Sequence, residues 1–202
     1  MDRQTIVVLD MEGVLVPEIW IAVAERTGIE ALRRTTRDEP DYDVLMRYRL
    51  GLLAEHELSM TLIAEVIAGL DPLPGATEFL DALRARYPVV ILSDTFEQFA
   101  AALAPKLGNP FILCHQLEVD PATDRITGYR LRMPDQKRAA VEAFRSLEYR
   151  VLAAGDSYND TSMLLAADAG YLFHAPPNVV AEFPQLEAVH DFDTLLERLL
   201  TH

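Results

Sequence analysis

A single cysteine, Cys114, leaves no possibility of an intrachain disulfide, and no spaced Cys or His partners surround it to form a zinc site. As a lone thiol it reads as a small buried hydrophobe. The five histidines show no metal-ligand spacing, and there are no internal repeats or low-complexity segments. Long apolar runs are missing too: none approaches the roughly 18 to 20 residues of a membrane-spanning helix. The opening stretch MDRQTIVVLD is too short in apolar residues for a secretory signal, so a cytoplasmic location is expected. Basic residues are scarce, 18 Lys and Arg against 32 Asp and Glu, for a formal net charge of −14. That balance excludes a nucleic-acid-binding surface, which needs cations to displace counterions from phosphates.

What is present is the composition of a folded protein, with half of the 202 residues hydrophobic and a quarter charged. The run TIVVL, Thr5 to Leu9, has the β-branched character of a buried parallel strand and ends at Asp10. Similar runs recur at Val89 to Leu92, Phe111 to Cys114, Arg150 to Ala154 and Gly170 to Phe173. Between them, Gly75 to Tyr87, Gln136 to Leu147 and Thr161 to Ala169 carry apolar residues at helical spacing. The alternation predicts an α/β protein with a doubly wound, mostly parallel sheet.

Two stretches break the alternation. From Pro17 to Leu70 the pattern is helical throughout: EIWIAVAERTG closing at Gly28, DYDVLMRYRLGLLAEH, and MTLIAEVIAGL with Ser59 as N-cap. A small α-helical domain, residues 17–70, is therefore expected to be inserted after the first strand of a core formed by residues 1–16 and 71–202. The second is HQLEVDPATDRITGYRLR, whose alternation on either side of PATD predicts a β-hairpin.

Open parallel sheets bind ligands beyond the carboxyl ends of their strands. Here those positions are Asp10-Met11-Glu12-Gly13-Val14, Ser93-Asp94-Thr95 and Gly155-Asp156-Ser157-Tyr158-Asn159-Asp160, with Lys137 opening the helix before the last of these strands. Taken singly, each aspartate or serine is better read as the cap of the helix that follows. Taken together they crowd several carboxylates at one edge of the sheet, an arrangement that demands a cation and offers the oxygen ligands Mg²⁺ prefers.

In this order the four segments resemble the motifs of the haloacid dehalogenase superfamily. The resemblance implies that superfamily's Rossmann-like fold, with Asp10 as a nucleophile that is transiently phosphorylated. It implies Glu12 as general acid and base, and Lys137 as the cation joining Asp10 to a phosphate oxygen. Ser93 and the backbone N–H of Asp94, at a helix N-terminus, would hold the phosphate, with Asn159 also at the substrate. Mg²⁺ would be held by Asp10, Asp156 and the backbone carbonyl of Glu12, and Asp160 would complete the metal site through water or by orienting its ligands. The helical insertion resembles the cap of the phosphoserine phosphatase branch, in which Glu18 and Arg49 stand where the amino-acid part of the substrate is held. Arg49 suits the carboxylate and Glu18 the ammonium. Without the resemblance, Arg49 reads as a solvated arginine on a helix shared with Arg47.

Longer phrases, DMEGVLVPEIWIA, PDYDVLM, VILSDTF, AAGDSYNDTSML and LFHAP, are similar to a bifunctional bacterial group that dephosphorylates phosphoserine and passes the phosphoryl group to homoserine. That group shares Glu12 where most superfamily phosphatases have Asp. The implied activity is hydrolysis of O-phospho-L-serine to L-serine and phosphate, with homoserine as a second acceptor. The alternative is a phosphatase of the same superfamily for another small phosphate ester; a signalling receiver domain would lack the helical insertion. A homodimer is admitted, since periodicity reveals no interface. The acidic charge is no obstacle to a phosphorylated substrate. At about 4 Å one charge pair contributes on the order of 4 kcal/mol at an effective dielectric near 20, so Lys137 and Mg²⁺ outweigh a screened surface field.

Overall fold

The structure is a computed structural model and describes residues 3–36, 38, 39 and 41–202. Its central strand is β1, Thr5–Leu9, which pairs in parallel with β2, Val89–Phe96, on one side and β5, Arg150–Gly155, on the other. Leu9 lies opposite Ile91 and Ala154, so the carboxyl ends of all three strands reach the same edge. Outside them lie β3, Phe111–Asp120, β4, Arg125–Arg130, β6, Ala169–Phe173, and β7, Glu187–Val189, giving the order β4-β3-β2-β1-β5-β6-β7. Only β4 runs antiparallel. The strand order reverses direction at β1, which leaves a crevice beyond its carboxyl end.

Alternation along β1 divides the core. Ile6 and Val8 face α6, Gln136–Ser146, and α7, Tyr158–Ala166, packing with Val141, Met163 and Leu164. Val7 and Leu9 face the opposite side, with α4, Ala76–Arg84, α5, Glu97–Leu103, and α9, Phe192–Leu200, supplying Phe79, Leu80, Phe99, Leu103, Leu195 and Leu199. This second cluster continues without a break into the inserted helices α1, Ile19–Thr27, α2, Tyr42–Glu55, and α3, Met60–Ala68, through Trp20, Val23, Met46, Ile63 and Ile67. Trp20 meets Phe99 edge-on with centroids 5.6 Å apart.

Several boundaries differ from the sequence expectation. β2 runs on through Ser93, Asp94 and Thr95 to Phe96, with an irregularity after Leu92, so those polar residues belong to the strand. Asp94 is therefore not at a helix N-terminus, since α5 begins only at Glu97. The stretches read as a strand at 111–114 and the first arm of a hairpin are one strand, β3, parallel to β2 in its first half and antiparallel to β4 in its second. Three short elements went unread: α5, α8 (Pro177–Glu182) and the three-residue β7. α9 also went unread, although Phe192, Leu195, Leu196 and Leu199 carry helical spacing.

The insertion is tied to the rest of the chain at both its ends and its far side. Leu73 N–H donates to the carbonyl of Leu15 at 2.9 Å, closing the two connections on each other. The β3–β4 turn supplies acceptors to the free N–H donors of the first turn of α3: Met60 N–H reaches the Asp124 carbonyl at 2.8 Å and Thr61 N–H its Oδ2 at 2.9 Å, with Ser59 Oγ accepting from Leu62 N–H. Arg125 pairs with Glu57, and the Tyr129 hydroxyl donates to Asp43. Asp124 is left-handed, φ 56°, so Asp124→Ala loses a cap and strains the backbone. We expect a loss of about 1 to 2 kcal/mol in urea unfolding, with Asp124→Gly intermediate because it restores only the backbone freedom.

Candidate active site

β1 delivers Asp10 to the crevice with its backbone N–H bonded to the Ala154 carbonyl of β5 at 2.9 Å. The chain then turns back on itself: Gly13 N–H donates to Val16, and Leu15 and Val16 N–H to Met11, while Met11, Val14, Leu15 and Val16 are buried. Gly13, φ 76°, is required here twice over, because a Cβ would also stand 2.5 Å from the Asp156 carboxylate. The tight approach brings the turn after β1 onto the end of β5.

At the centre lies Lys137, 2% exposed. Left-handed Asp135 precedes α6 and Gln136 and Lys137 follow it inward. The ammonium is 2.9 Å from Asp10 Oδ1, 2.7 Å from Asp160 Oδ1 and 3.6 Å from Asp94 Oδ2. Burial works against its charge, but the three carboxylates hold its pKa well above the usual lysine value. One ammonium does not satisfy so many acids: burial, then Asp160 and Asp156, push Asp10 well above the ordinary carboxyl range despite Lys137. Asp160 Oδ2 accepts from the backbone N–H groups of Asp156 and Ser157 at 2.9 and 3.1 Å, so both its oxygens are engaged.

Asp10, Asp156 and Asp160 each offer an oxygen within 4.8 Å of the others, and all three are buried. A buried all-oxygen set with surplus negative charge fits a hard divalent cation. Both Asp160 oxygens are already engaged, by Lys137 and by the N–H groups of Asp156 and Ser157.

Asp94 forms the side wall. Its Oδ1 accepts from Gln136 Nε2 at 3.1 Å and its Oδ2 from Asn159 Nδ2 at 2.8 Å. His115 Nδ1 accepts from Arg132 N–H, which leaves the proton on Nε2, 3.5 Å from Asp94 Oδ1. Burial opposes the Asp94 charge, but Lys137 and these donors hold its pKa below the usual range. Asn159 is occupied at both ends, its Oδ1 accepting from Ser157 Oγ. Ser93 Oγ accepts from Thr95 N–H at 3.3 Å and keeps its own proton for another partner.

The roof comes from the insertion. Glu12 Oε2 accepts from Ile19 N–H, the first residue of α1, at 3.0 Å. Burial, then Glu18, pushes the Glu12 carboxyl up to about 7, against the pull of Ile19 N–H and Arg49. Arg49 is 6% exposed, not solvated: it stacks on Trp20 at 4.6 Å, donates to the Arg34 carbonyl at 2.9 Å, and leaves Nε without a partner. Burial lowers its pKa to about 10. Tyr42 bridges roof and wall, its hydroxyl donating to the Asp94 carbonyl at 2.7 Å.

Of the residues picked out from sequence, all but Asp160 line a single cavity. Thr95, Tyr42, Thr36 and Ser157 line it too, unassigned from sequence. The Gln136 next to Lys137 was the one neighbour whose position carried a signal; His115 sits in β3 and only the fold brings it to Asp94.

Residues 5–168 match the family model of haloacid dehalogenase-like hydrolases. The chain belongs to this family. It is 62% identical over 192 residues to phosphoserine phosphatase ThrH of Pseudomonas aeruginosa, covering 95% of this chain and 93% of that protein. A phosphoserine phosphatase of Pseudomonas syringae pv. tomato is also 62% identical, over 95% of this chain and 81% of its own length. Among solved structures, a phosphoserine phosphatase captured as a phospho-aspartyl intermediate analogue superposes with a TM-score of 0.79 at 20% identity, over 97% of this chain and 99% of that one, which shows the shared fold.

The raised Glu12 pKa of this hydrolase has a thermodynamic consequence. An acid whose folded pKa lies above its unfolded value, roughly 4.3, favours folding only while protonated, and that advantage is lost as pH rises from there through about 7. Glu12→Gln keeps an oxygen for Ile19 N–H without the charge. In EDTA at pH 8 it should therefore be more stable than wild type, by about 2 kcal/mol, with the difference vanishing near pH 4. Thermal melts at the two pH values measure it.

Proposed function

We propose that this chain is a magnesium-dependent phosphoserine phosphatase acting through phospho-Asp10. The observation that carries the reading is one cavity with the buried Asp10–Lys137 pair at its floor and Glu12, Glu18 and Arg49 in its roof. A phosphate ester fits the floor and an amino-acid head the roof. The 62% identity to phosphoserine phosphatases over 95% of the chain supports the same substrate.

In this mechanism Asp10 attacks the phosphorus in line, the phosphorus–oxygen bond to serine breaks, and protonated Glu12 gives its proton to the departing oxygen. Glu12, now a carboxylate, takes a proton from water as that oxygen attacks phospho-Asp10 and frees phosphate. Lys137 holds Asp10 against the phosphate, while the Ser93 hydroxyl and Asp94 N–H donate to its oxygens. Asn159 acts at the substrate by bracing Asp94. Asp10, Asp156 and the Glu12 backbone carbonyl would hold Mg²⁺, with Asp160 completing the site through water or by orienting these ligands, and the ion would supply positive charge toward a dianionic substrate. Arg49 Nε meets the serine carboxylate, and Glu18 its ammonium.

Residues 17–70 serve as a cap domain over a core of residues 1–16 and 71–202. Homoserine is the second acceptor, entering where serine leaves and attacking phospho-Asp10 in place of water. No helix among the described residues is long and apolar enough to cross a membrane, in keeping with a cytoplasmic amino-acid-biosynthetic enzyme.

Asp10→Asn should abolish serine release from phosphoserine in Mg²⁺ while the protein still folds; turnover above a few per cent of wild type rejects the nucleophile. Arg49→Ala should lower kcat/KM for phosphoserine about tenfold to a hundredfold more than for phosphoethanolamine, which lacks the carboxylate. Equal losses would reject Arg49 as the carboxylate's partner. Phosphorus NMR of phosphoserine turnover with and without homoserine reads the acceptor directly.

A further inference from the structure

Between Leu92 and Phe96 the ladder from β2 to β3 gives no paired residue, and the pairing of β2 with β1 has already ended at Ile91. Side chains hold this stretch. Gln136 Nε2 donates to the Ser93 carbonyl at 2.6 Å, the Tyr42 hydroxyl to the Asp94 carbonyl at 2.7 Å, and Ser93 Oγ accepts from Thr95 N–H at 3.3 Å. Gln136 reaches Ser93 from the first residue of α6, where left-handed Asp135 turns the chain and Ser162 Oγ donates to the Asp135 carboxylate at 2.8 Å. The same Nε2 donates to Asp94 Oδ1 at 3.1 Å. Both targets are acceptors, so the amide nitrogen must be the group that faces them. The other end of the amide is left unmet: Gln136 is 3% exposed, and its Oε1 has no partner among the described residues. A methionine would fill much the same shape without that cost, so packing does not account for a glutamine here.

We propose that Gln136 is a positioning residue for the phosphate site, fixing the Ser93–Asp94 peptide so that its N–H faces a phosphate oxygen. The inference rests on the reading above that Asp94 N–H and the Ser93 hydroxyl hold the phosphate. The C=O and N–H of one trans peptide point in opposite directions. A donor seated on the Ser93 oxygen therefore sets the direction of Asp94 N–H, and by drawing electron density toward that oxygen it makes the N–H a stronger donor. Where the ladder is interrupted, Gln136 supplies the restraint that a neighbouring strand gives elsewhere. Its bond to Asp94 Oδ1 ties the side chain of that residue to the same arrangement. As phosphorus passes from the serine oxygen to Asp10, and later from Asp10 to the incoming oxygen, the charge on its remaining oxygens meets an N–H already aimed at them. Gln136 does not line the catalytic cavity and exchanges no proton; it acts through the peptide.

The test uses the intact protein with Mg²⁺ and compares wild type, Gln136→Met and Gln136→Glu at a mildly alkaline pH. Both variants keep the length of the side chain, and neither offers a donor to the Ser93 oxygen. Each should lower kcat/KM about tenfold to a hundredfold, a part of what removal of a transition-state donor costs, and to a similar extent on phosphoserine and phosphoethanolamine, which present the same phosphate. Inhibition by inorganic phosphate should weaken by at least about threefold, whereas inhibition by L-serine, which has no phosphate, should change by less than about twofold. In ¹⁵N-labelled wild type the Asp94 amide proton should move downfield when inorganic phosphate is added, and the Gln136 side-chain amide should stay protected from solvent exchange. Unimpaired activity in either variant, a loss of activity without weaker phosphate inhibition, or equal weakening of phosphate and L-serine would overturn the proposal. A Gln136 amide that exchanges freely in the phosphate-bound wild type overturns it whether or not the variants fold. Failure of the underlying reading looks different: the wild-type Asp94 amide would then ignore phosphate, which removes the peptide's role and with it that of Gln136, whereas a responding amide with unimpaired variants rejects Gln136 alone.

Discussion

One buried ammonium holds this site together. Lys137 comes from α6, Asp10 from the end of β1, Asp160 from α7 and Asp94 from β2, and no pair of these elements is adjacent enough in sequence to assemble locally. Breaking a buried ion pair by removing one partner is strongly destabilising because the other charge is stranded, and Lys137 has three partners. The arrangement is nevertheless under-compensated. Burial and the neighbouring Asp160 and Asp156 raise the pKa of Asp10 even with Lys137 against it. The sheet thus gathers more carboxylates at this edge than its one ammonium offsets. For a protein of charge −14 that takes an anionic ester, the sign that matters is set within a few ångströms, where Lys137 stands and the buried carboxylates offer oxygens to a cation.

The supports of this centre are backbone groups and short polar side chains, not further charges. Asp160 is fixed by the N–H groups of Asp156 and Ser157, Asp94 by Gln136, Asn159 and His115. Gly13 and Gly155 permit the close approach, since a Cβ at Gly155 would run into the Asp160 side chain. Each support fixes an orientation without adding to an already crowded field, which is what electrostatic preorganisation requires.

Residues that sit at strand ends were legible in the sequence, because β-branched runs locate the strands and the fold class then locates their carboxyl ends. Asp10, Glu12 and Asp156 belong to this group; the three inserted helices, with Gly28 and Ser59 at their ends, were legible from their own spacing and caps. Residues whose roles arise from crossing between elements were not. Tyr42 is an aromatic on an amphipathic helix until α2 lies over β2; His115 is a mid-strand histidine until Arg132 N–H selects its tautomer. Arg49 shows the same limit. Nothing in its own helix distinguishes it from Arg47, and only the stacking on Trp20 removes it from solvent. The misplaced end of β2 has a related cause: Ser93, Asp94 and Thr95 look like a loop, yet β2 resumes its pairing beyond them, with Phe96 opposite His115.

Glu12 connects the two halves of the molecule more directly than any other side chain. Its backbone belongs to the turn after β1, but its carboxyl is bonded to the first N–H of α1, where the insertion begins. The group assigned to proton transfer is therefore positioned by the insertion as well as by the core, and any movement of α1 relative to β1 must carry its carboxyl or break the bond. In the mechanism proposed above Glu12 must face the oxygen that leaves or arrives, so there the position of the inserted helices and the competence of that group are a single variable. In that mechanism, discharge of phospho-Asp10 would be governed by which oxygen reaches Glu12 while α1 remains in place.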